Sequence, residues 1–492
     1  VITAKVRTRV LWLSAGVVTL YALLLIPAAE PVPGPLAPRQ PFLWNQDERW
    51  EGLEESFVAL RPLGCEVLGA RVDSGRAVAS RLIDHLAAGV HDPNEPLLTE
   101  LENALFAMAP PVAICPDRAP QYLNLVVRMR TALKAQSTGW DMNDLVTRQR
   151  TYRLLYGGRA AAEEVLLQVP KEKVPALLGC YDEPSRTPQA EVLGIRVHSG
   201  DILVSRGGAP TSALIARGND YPGNFSHVAI VHIDPDSLIP RVVEAHIERG
   251  VAVASFAQYL QDTKLRVMVL RLRADLPSMV ADPLLPHRAA EVALTRAQQR
   301  HIPYDFAMDT RDTSGMFCSE VVSSAYAALG VRLWMGMSTI SSAGVAAWLA
   351  SFGVRHFETE EPSDLEYDPQ LRVVAEWRDP ETLLKDHVDN AIIESLLEGA
   401  EAGEKIPVRW YLLPVVRFVK LYSVVLNALG KEGPIPEGMS ATSSLRHLWL
   451  VDRHEAMRGL VWADVERFRR ENLYTPPYWE LLKMARRAKA SF

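Results

Sequence analysis

The chain has 492 residues, room for about two to four domains or one large domain with additions. Hydrophobic residues make up 48% and charged residues 23%, which excludes a disordered chain, a collagen and a multi-pass membrane protein. With 53 basic against 59 acidic residues the net charge is -6, so no basic excess draws nucleic acid; four cysteines are too few for a disulfide scaffold of this length.

Residues 1–40 set the expected location. Residues 11–28 carry no charge, with Lys5, Arg7 and Arg9 just before them and Glu30 just after. As a helix the stretch spans about 27 Å, close to the hydrocarbon thickness of a bilayer. The basic flank belongs on the cytoplasmic side. The segment reads as an uncleaved signal anchor; a cleaved signal peptide and a buried helix are the alternatives. Either of the first two puts residues 30–492 outside the cytoplasm, at the inner membrane facing the periplasm. A disulfide is permitted there. Cys65–Cys115 is one candidate pair, which nothing in the sequence selects.

Residues 30–40 form a proline-rich linker. Residues 41–189 read as helical, with Leu125, Val126, Met129 and Leu133 near one face. The character changes near residue 190. Segments 192–208, 226–234, 242–256 and 265–274 are strand-like and turn at glycine, proline or aspartate; 287–301 and 319–330 are helical. This predicts an α+β domain over 190–350 built on an antiparallel sheet. Residues 351–492 are mainly helical. Within them 410–430 is strongly apolar but interrupted by Pro414, Arg417 and Lys420, which favours a buried or membrane-surface helix over a second span. The tail from 454 is rich in Arg, Glu and Trp and reads as solvated.

Cys318 follows a turn containing Gly315 and opens a helical pattern. A thiol at a helix N-terminus meets unpaired N–H groups and the positive dipole end, which favour a nucleophilic thiolate. A buried inert cysteine is the plain alternative. His227 opens an apolar strand, and its near-neutral reference pKa suits a general base. Glu244 and His246 lie two apart on the next strand and share a face, so either could orient His227. His227, His232, Glu244 and His246 could also ligate zinc, but 227 and 232 should face opposite ways and no HExxH or CxxC pair occurs. No phosphate-binding loop is present, and no cofactor is expected.

These residues together resemble a known group. Gly200-Asp201-Ile202-Leu203, Phe225-Ser226-His227-Val228, Val243-Glu244-Ala245, Pro303-Tyr304-Asp305-Phe306 and Phe317-Cys318-Ser319-Glu320 look like the circularly permuted papain-like hydrolases. More narrowly they resemble the YiiX/YebB-like branch of the NlpC/P60 cysteine hydrolase superfamily. There the histidine strand precedes the nucleophile helix, and here His227 precedes Cys318 by 91 residues. The resemblance covers about 190–350 and implies Cys318 as nucleophile and His227 as base. It implies Glu244 or His246 as third member, with Tyr304 lining the site. It implies an acyl-enzyme route on an amide, ester or thioester carbonyl. The superfamily suggests a peptidoglycan peptide as substrate, and the related permuted acyltransferases suggest a lipid acyl group. A noncatalytic envelope scaffold that keeps the fold is the competing reading, and oligomeric state is left open.

Overall fold

The computed structural model describes residues 4–29, 33–36, 42 and 48–492. Residues 30–32 and 37–40 of the expected linker lie outside the described residues, as do the side chains of Lys5, Arg7 and Arg9. Helix α1 (Ala4–Leu24) contains most of the uncharged stretch. A helical region follows, with α2 (Gly64–Ala88), α3 (Pro96–Ile114), α4 (Ala119–Gln136) and α5 (Gly158–Gln168) as its main members. Leu98, Leu101, Val112, Met129 and Leu133, all almost fully buried, form its core. The apolar positions recur at helical spacing, so each helix turns one stripe inward. Cys65 and Cys115 form a disulfide that joins the start of α2 to the end of α3.

Seven strands make the main sheet: β1 (Leu177–Gly179), β2 (Ile202–Gly207), β3 (His227–Ile233), β4 (Pro240–His246), β5 (Gly250–Ser255), β6 (Lys264–Leu272) and β7 (Leu371–Trp377), while Gln189–Val192 with Ile195–His198 and Ser338–Thr339 with Glu358–Thr359 form separate two-stranded pairs. Their spatial order is β1-β7-β6-β2-β3-β4-β5, and every neighbouring pair is antiparallel. The α+β class and the antiparallel sheet expected for 200–274 are observed. The sheet also takes in β1 and β7, which lie outside the expected 190–350 span. Two helices cover one face, α6 (Leu285–Gln299) and α7 (Cys318–Ala327). Val322 and Ala325 of α7 are fully buried against Ile202, Val204, Val228 and Val243 of the sheet. Gly200 has φ +95°, and a Cβ there would collide with Pro286, so only glycine lets α6 approach this closely.

The C-terminal region contains α8 (Pro380–Glu401), α9 (Leu413–Ala428), α10 (Ala441–Asn472) and α11 (Tyr478–Ala490). The expected solvated tail is corrected here. Met457, Val461 and Val465 recur every fourth residue, and with Leu481, Leu482 and Ala485 they are buried against α8. Arginine and glutamate on the other faces mask this stripe in composition. The segment Trp410–Ala428 is long and apolar enough to cross a membrane. It is not a buried helix: Val415, Phe418 and Leu421 are each at least 60% exposed.

Candidate active site

His227 is the first residue of β3, and Glu244 stands opposite Ala229 on β4. Continuing that register sets His246 across from His227, so all three side chains share one face. The His227 Nε2 lies 2.6 Å from Glu244 Oε2. The His246 Nε2 lies 2.9 Å from the other carboxylate oxygen. The two imidazole rings are 5.7 Å apart between centroids. Glu244 is 1% exposed. Burial alone would raise its pKa, but hydrogen bonds from two imidazoles outweigh burial and hold the carboxyl well below the usual range. Burial lowers the pKa of His227, against the pull of Glu244, so the ring rests neutral. His232 lies elsewhere, stacked on His287 with centroids 5.5 Å apart. Among the described residues no group of three or more His, Cys, Asp or Glu side chains is arranged to hold a metal ion.

Cys318 is the first residue of α7 and is 4% exposed. Polar groups of Val228, at the start of β3, and of Ser319 lie near enough to the sulfur to favour its thiolate. Behind it the Phe317 N–H donates to the Glu320 carboxyl at 3.0 Å, which satisfies one orphan donor of the helix start. The expected depression of the thiol pKa is absent. Burial pushes it up to about 11, and the nearby Glu361 adds to this, while polar groups of Val228 and Ser319 act the other way. The expected Cys318–His227 contact is likewise not a hydrogen bond here. The thiol is buried beside the start of β3, and the His227 Nε2 is held by Glu244. Such bonds commonly tighten only when substrate is bound. Tyr304 approaches the thiol closely enough for the two to interact electrostatically, and burial raises its phenol pKa. It forms a bridge to Met316 that fixes the segment just ahead of Cys318.

The sequence reading missed Glu361. Its carboxyl is 4% exposed, and its Oε2 has no hydrogen-bond partner among the described residues. Burial raises its pKa to about 8, so it is largely protonated at neutral pH beside Cys318 and Tyr304. It sits in a short polar segment after the domain's expected end, and no spacing ties it to Cys318. A half-open pocket between Trp50 and Trp479 is lined wholly by the N- and C-terminal regions and contains none of these residues.

Residues 196–375 match the model of a family described as permuted papain-like amidase enzyme, YaeF/YiiX, C92 family. The matched segment contains Cys318, His227, Glu244, His246 and Tyr304, and its fold is permuted papain-like. The class that this fold and family define is a cysteine hydrolase; NlpC/P60 is the coarser grouping. The match spans little more than a third of the chain and leaves both flanks outside it. No curated protein matches the chain significantly.

Proposed function

We propose that this domain hydrolyses an amide, ester or thioester through an acyl-enzyme on Cys318. The observation that carries the reading is a buried thiol at a helix start, on a helix packed against the strand that opens with His227 and bears the His227–Glu244–His246 array. Glu244 accepts the Nε2 proton of His227, which leaves Nδ1 bare as the proton acceptor. The thiol and imidazole rest neutral, so proton transfer accompanies attack. The sulfur bonds to the carbonyl carbon as its proton passes to Nδ1. The imidazolium then protonates the departing amine or alkoxide. Water, deprotonated by the same nitrogen, cleaves the thioester and returns the thiol. Glu244 fixes the tautomer and offsets the imidazolium charge. His246 braces the second carboxylate oxygen, and Tyr304 walls the site.

The Cys65–Cys115 disulfide and the apolar α1 support a periplasmic position at the inner membrane. The substrate would be an envelope component, a peptidoglycan peptide or a lipid acyl group. Mass spectrometry after exposure to an activated ester at pH 7 tests the chemistry. An acyl adduct should map to Cys318, and His227→Ala should slow its formation by about 10²–10⁴-fold. Equal acylation of both proteins would mark an inert cysteine and favour the noncatalytic scaffold.

A further inference from the structure

Helix α9 is amphipathic the wrong way round for a water-facing helix. Ser423 is fully buried, and its Oγ accepts the Ile435 N–H at 3.0 Å. Lys420 donates to the carbonyls of Pro436 and Glu437 at 2.7 and 2.8 Å. Asn427 accepts the Gly433 N–H at 3.1 Å. The polar side chains of α9 therefore face the protein along most of its length. Tyr411, Val415, Phe418, Tyr422, Val425 and Leu429 recur every three or four residues on the opposite side, each more than half exposed. An ordinary surface helix does the reverse, and apolar surface this extensive marks a contact site. The polar tethers also keep α9 on the domain, so it lies along its partner and does not cross it.

The neighbouring element says what that partner is. Arg417 of α9 donates to the carbonyls of Leu23 and Ile26, at 2.9 and 2.5 Å. These carbonyls lie at and just past the C-terminal end of α1, where a cation is favoured. The Ala28 N–H donates to Thr442 at the start of α10, at 3.0 Å. Trp12, Leu13, Val17 and Val18 of α1 are each more than 60% exposed. The outward face of α9 thus continues the exposed apolar surface of α1, which carries no charge from Trp12 to Leu24. Tyr411 and Tyr422 supply the amphipathic rings that settle at headgroup level.

The same tethers lead to the chemistry. Glu437, whose carbonyl accepts from Lys420, pairs with His301 at 2.8 Å. A Cβ at Gly438 would stand 2.6 Å from the Phe306 ring and 3.4 Å from the Tyr304 carbonyl oxygen. Segment 436–438 is wedged between α9 and the Tyr304 wall of the Cys318 site. We infer that the outward face of α9 lies in a lipid bilayer beside α1, and that it presents the Cys318 site to acyl groups of membrane lipids. The substrate half rests on the hydrolase reading above; the docking half does not.

Nitroxides at Val415→Cys and Phe418→Cys, in the full Cys180→Ser, Cys318→Ala chain, test docking without using the nucleophile. In phosphatidylcholine–phosphatidylglycerol vesicles both labels should collide more with dissolved oxygen than with an aqueous nickel chelate. A label at Val90→Cys, 97% exposed in the helical region, should do the opposite. Nickel-dominated collision at 415 and 418 overturns docking. So does dipolar broadening that disappears on dilution with unlabelled protein, which would make a second copy the occupant. With Cys318 intact, Phe418→Asp/Val425→Asp should lower hydrolysis of vesicle lipid at least about tenfold and change hydrolysis of a soluble acetate ester less than about twofold. Equal effects on both substrates, or on neither, overturn the lipid assignment. Loss of soluble turnover in the unsubstituted protein would instead sink the hydrolase reading and leave the collision data standing.

Discussion

Glu244 serves two imidazoles at once, and its substitution separates charge from geometry. A glutamine there can still accept from one ring, but it removes the anion that holds the His227 pKa up against burial. Glu244→Gln should lower kcat/KM by about 10–100-fold, and the acidic limb of the pH–rate profile should move to lower pH, because the base becomes weaker. A profile that falls in height without moving would assign Glu244 a packing role only. Glu361 poses the opposite case. Its folded-state pKa, about 8, lies above the unfolded carboxylate value. The stability it lends is complete below about pH 4.3 and is lost as pH rises through about 8, at up to ~1.4 kcal/mol per pH unit. Glu361→Gln should flatten the part of the decline in stability between about pH 4.3 and 8 that this carboxyl causes, read in urea titrations. A slope unchanged between pH 5 and 9 would mean that the carboxyl titrates normally.

At the scale of elements, α7 is held both by apolar contact and by one buried hydrogen bond. The Tyr326 hydroxyl donates to the Gly200 carbonyl at 2.7 Å, and Tyr326 is fully buried. Tyr326→Phe leaves that carbonyl without its partner and should cost about 1–3 kcal/mol in equilibrium unfolding. A loss under roughly 0.5 kcal/mol, the scatter of ordinary surface substitutions, would show that water takes over the bond. In the helical region the disulfide closes a 50-residue separation between α2 and α3. On chain-entropy grounds its removal by Cys65→Ser should cost about 2–4 kcal/mol. Acylation of Cys318 in the native protein should be unaffected, since α2 and α3 do not line the site.

Across the whole molecule, a buried ion network stitches the regions together. Glu163 of α5 pairs with Arg266 of β6 at 2.6 Å and with Arg159 at 3.0 Å. Arg266 pairs with Asp386 of α8 at 2.6 Å, and Asp386 with Arg206 of β2 at 3.1 Å. All five side chains are at most 3% exposed. Buried charges are costly unless every partner is present; Glu163→Ala leaves Arg266 only Asp386 and Arg159 only Glu366 as carboxylate partners, and should destabilise by about 3–5 kcal/mol. Helical and sheet signals should be lost in one transition, because the network joins N-terminal helices, sheet and C-terminal helices. Two separated transitions in calorimetry would show the helical region to be independent.

Sequence by itself determined what repeats locally. The β-branched run at 226–234, ended by Pro235, and the two short strands around Gly250 in 242–256 marked β3, β4 and β5, since β-branched residues favour strands and Gly and Pro end them. The helix start at Cys318 and the shared face of Glu244 and His246 follow from the same short-range rules. Only the tertiary structure decided which distant segments meet. β1 and β7 are nearly two hundred residues apart, yet pair through backbone groups that carry no side-chain signature. Cys65 and Cys115 come together because α2 packs on α3. Glu361 reaches Cys318 through a loop return that no spacing announces. The direction in which α9 faces was also invisible: its composition permits either face to be inward, and tethers from residues 433–437 turned the apolar side out. Burial explains the thiol as well, since position at a helix start favours the anion while enclosure under Val228 and Tyr304 removes water and opposes it.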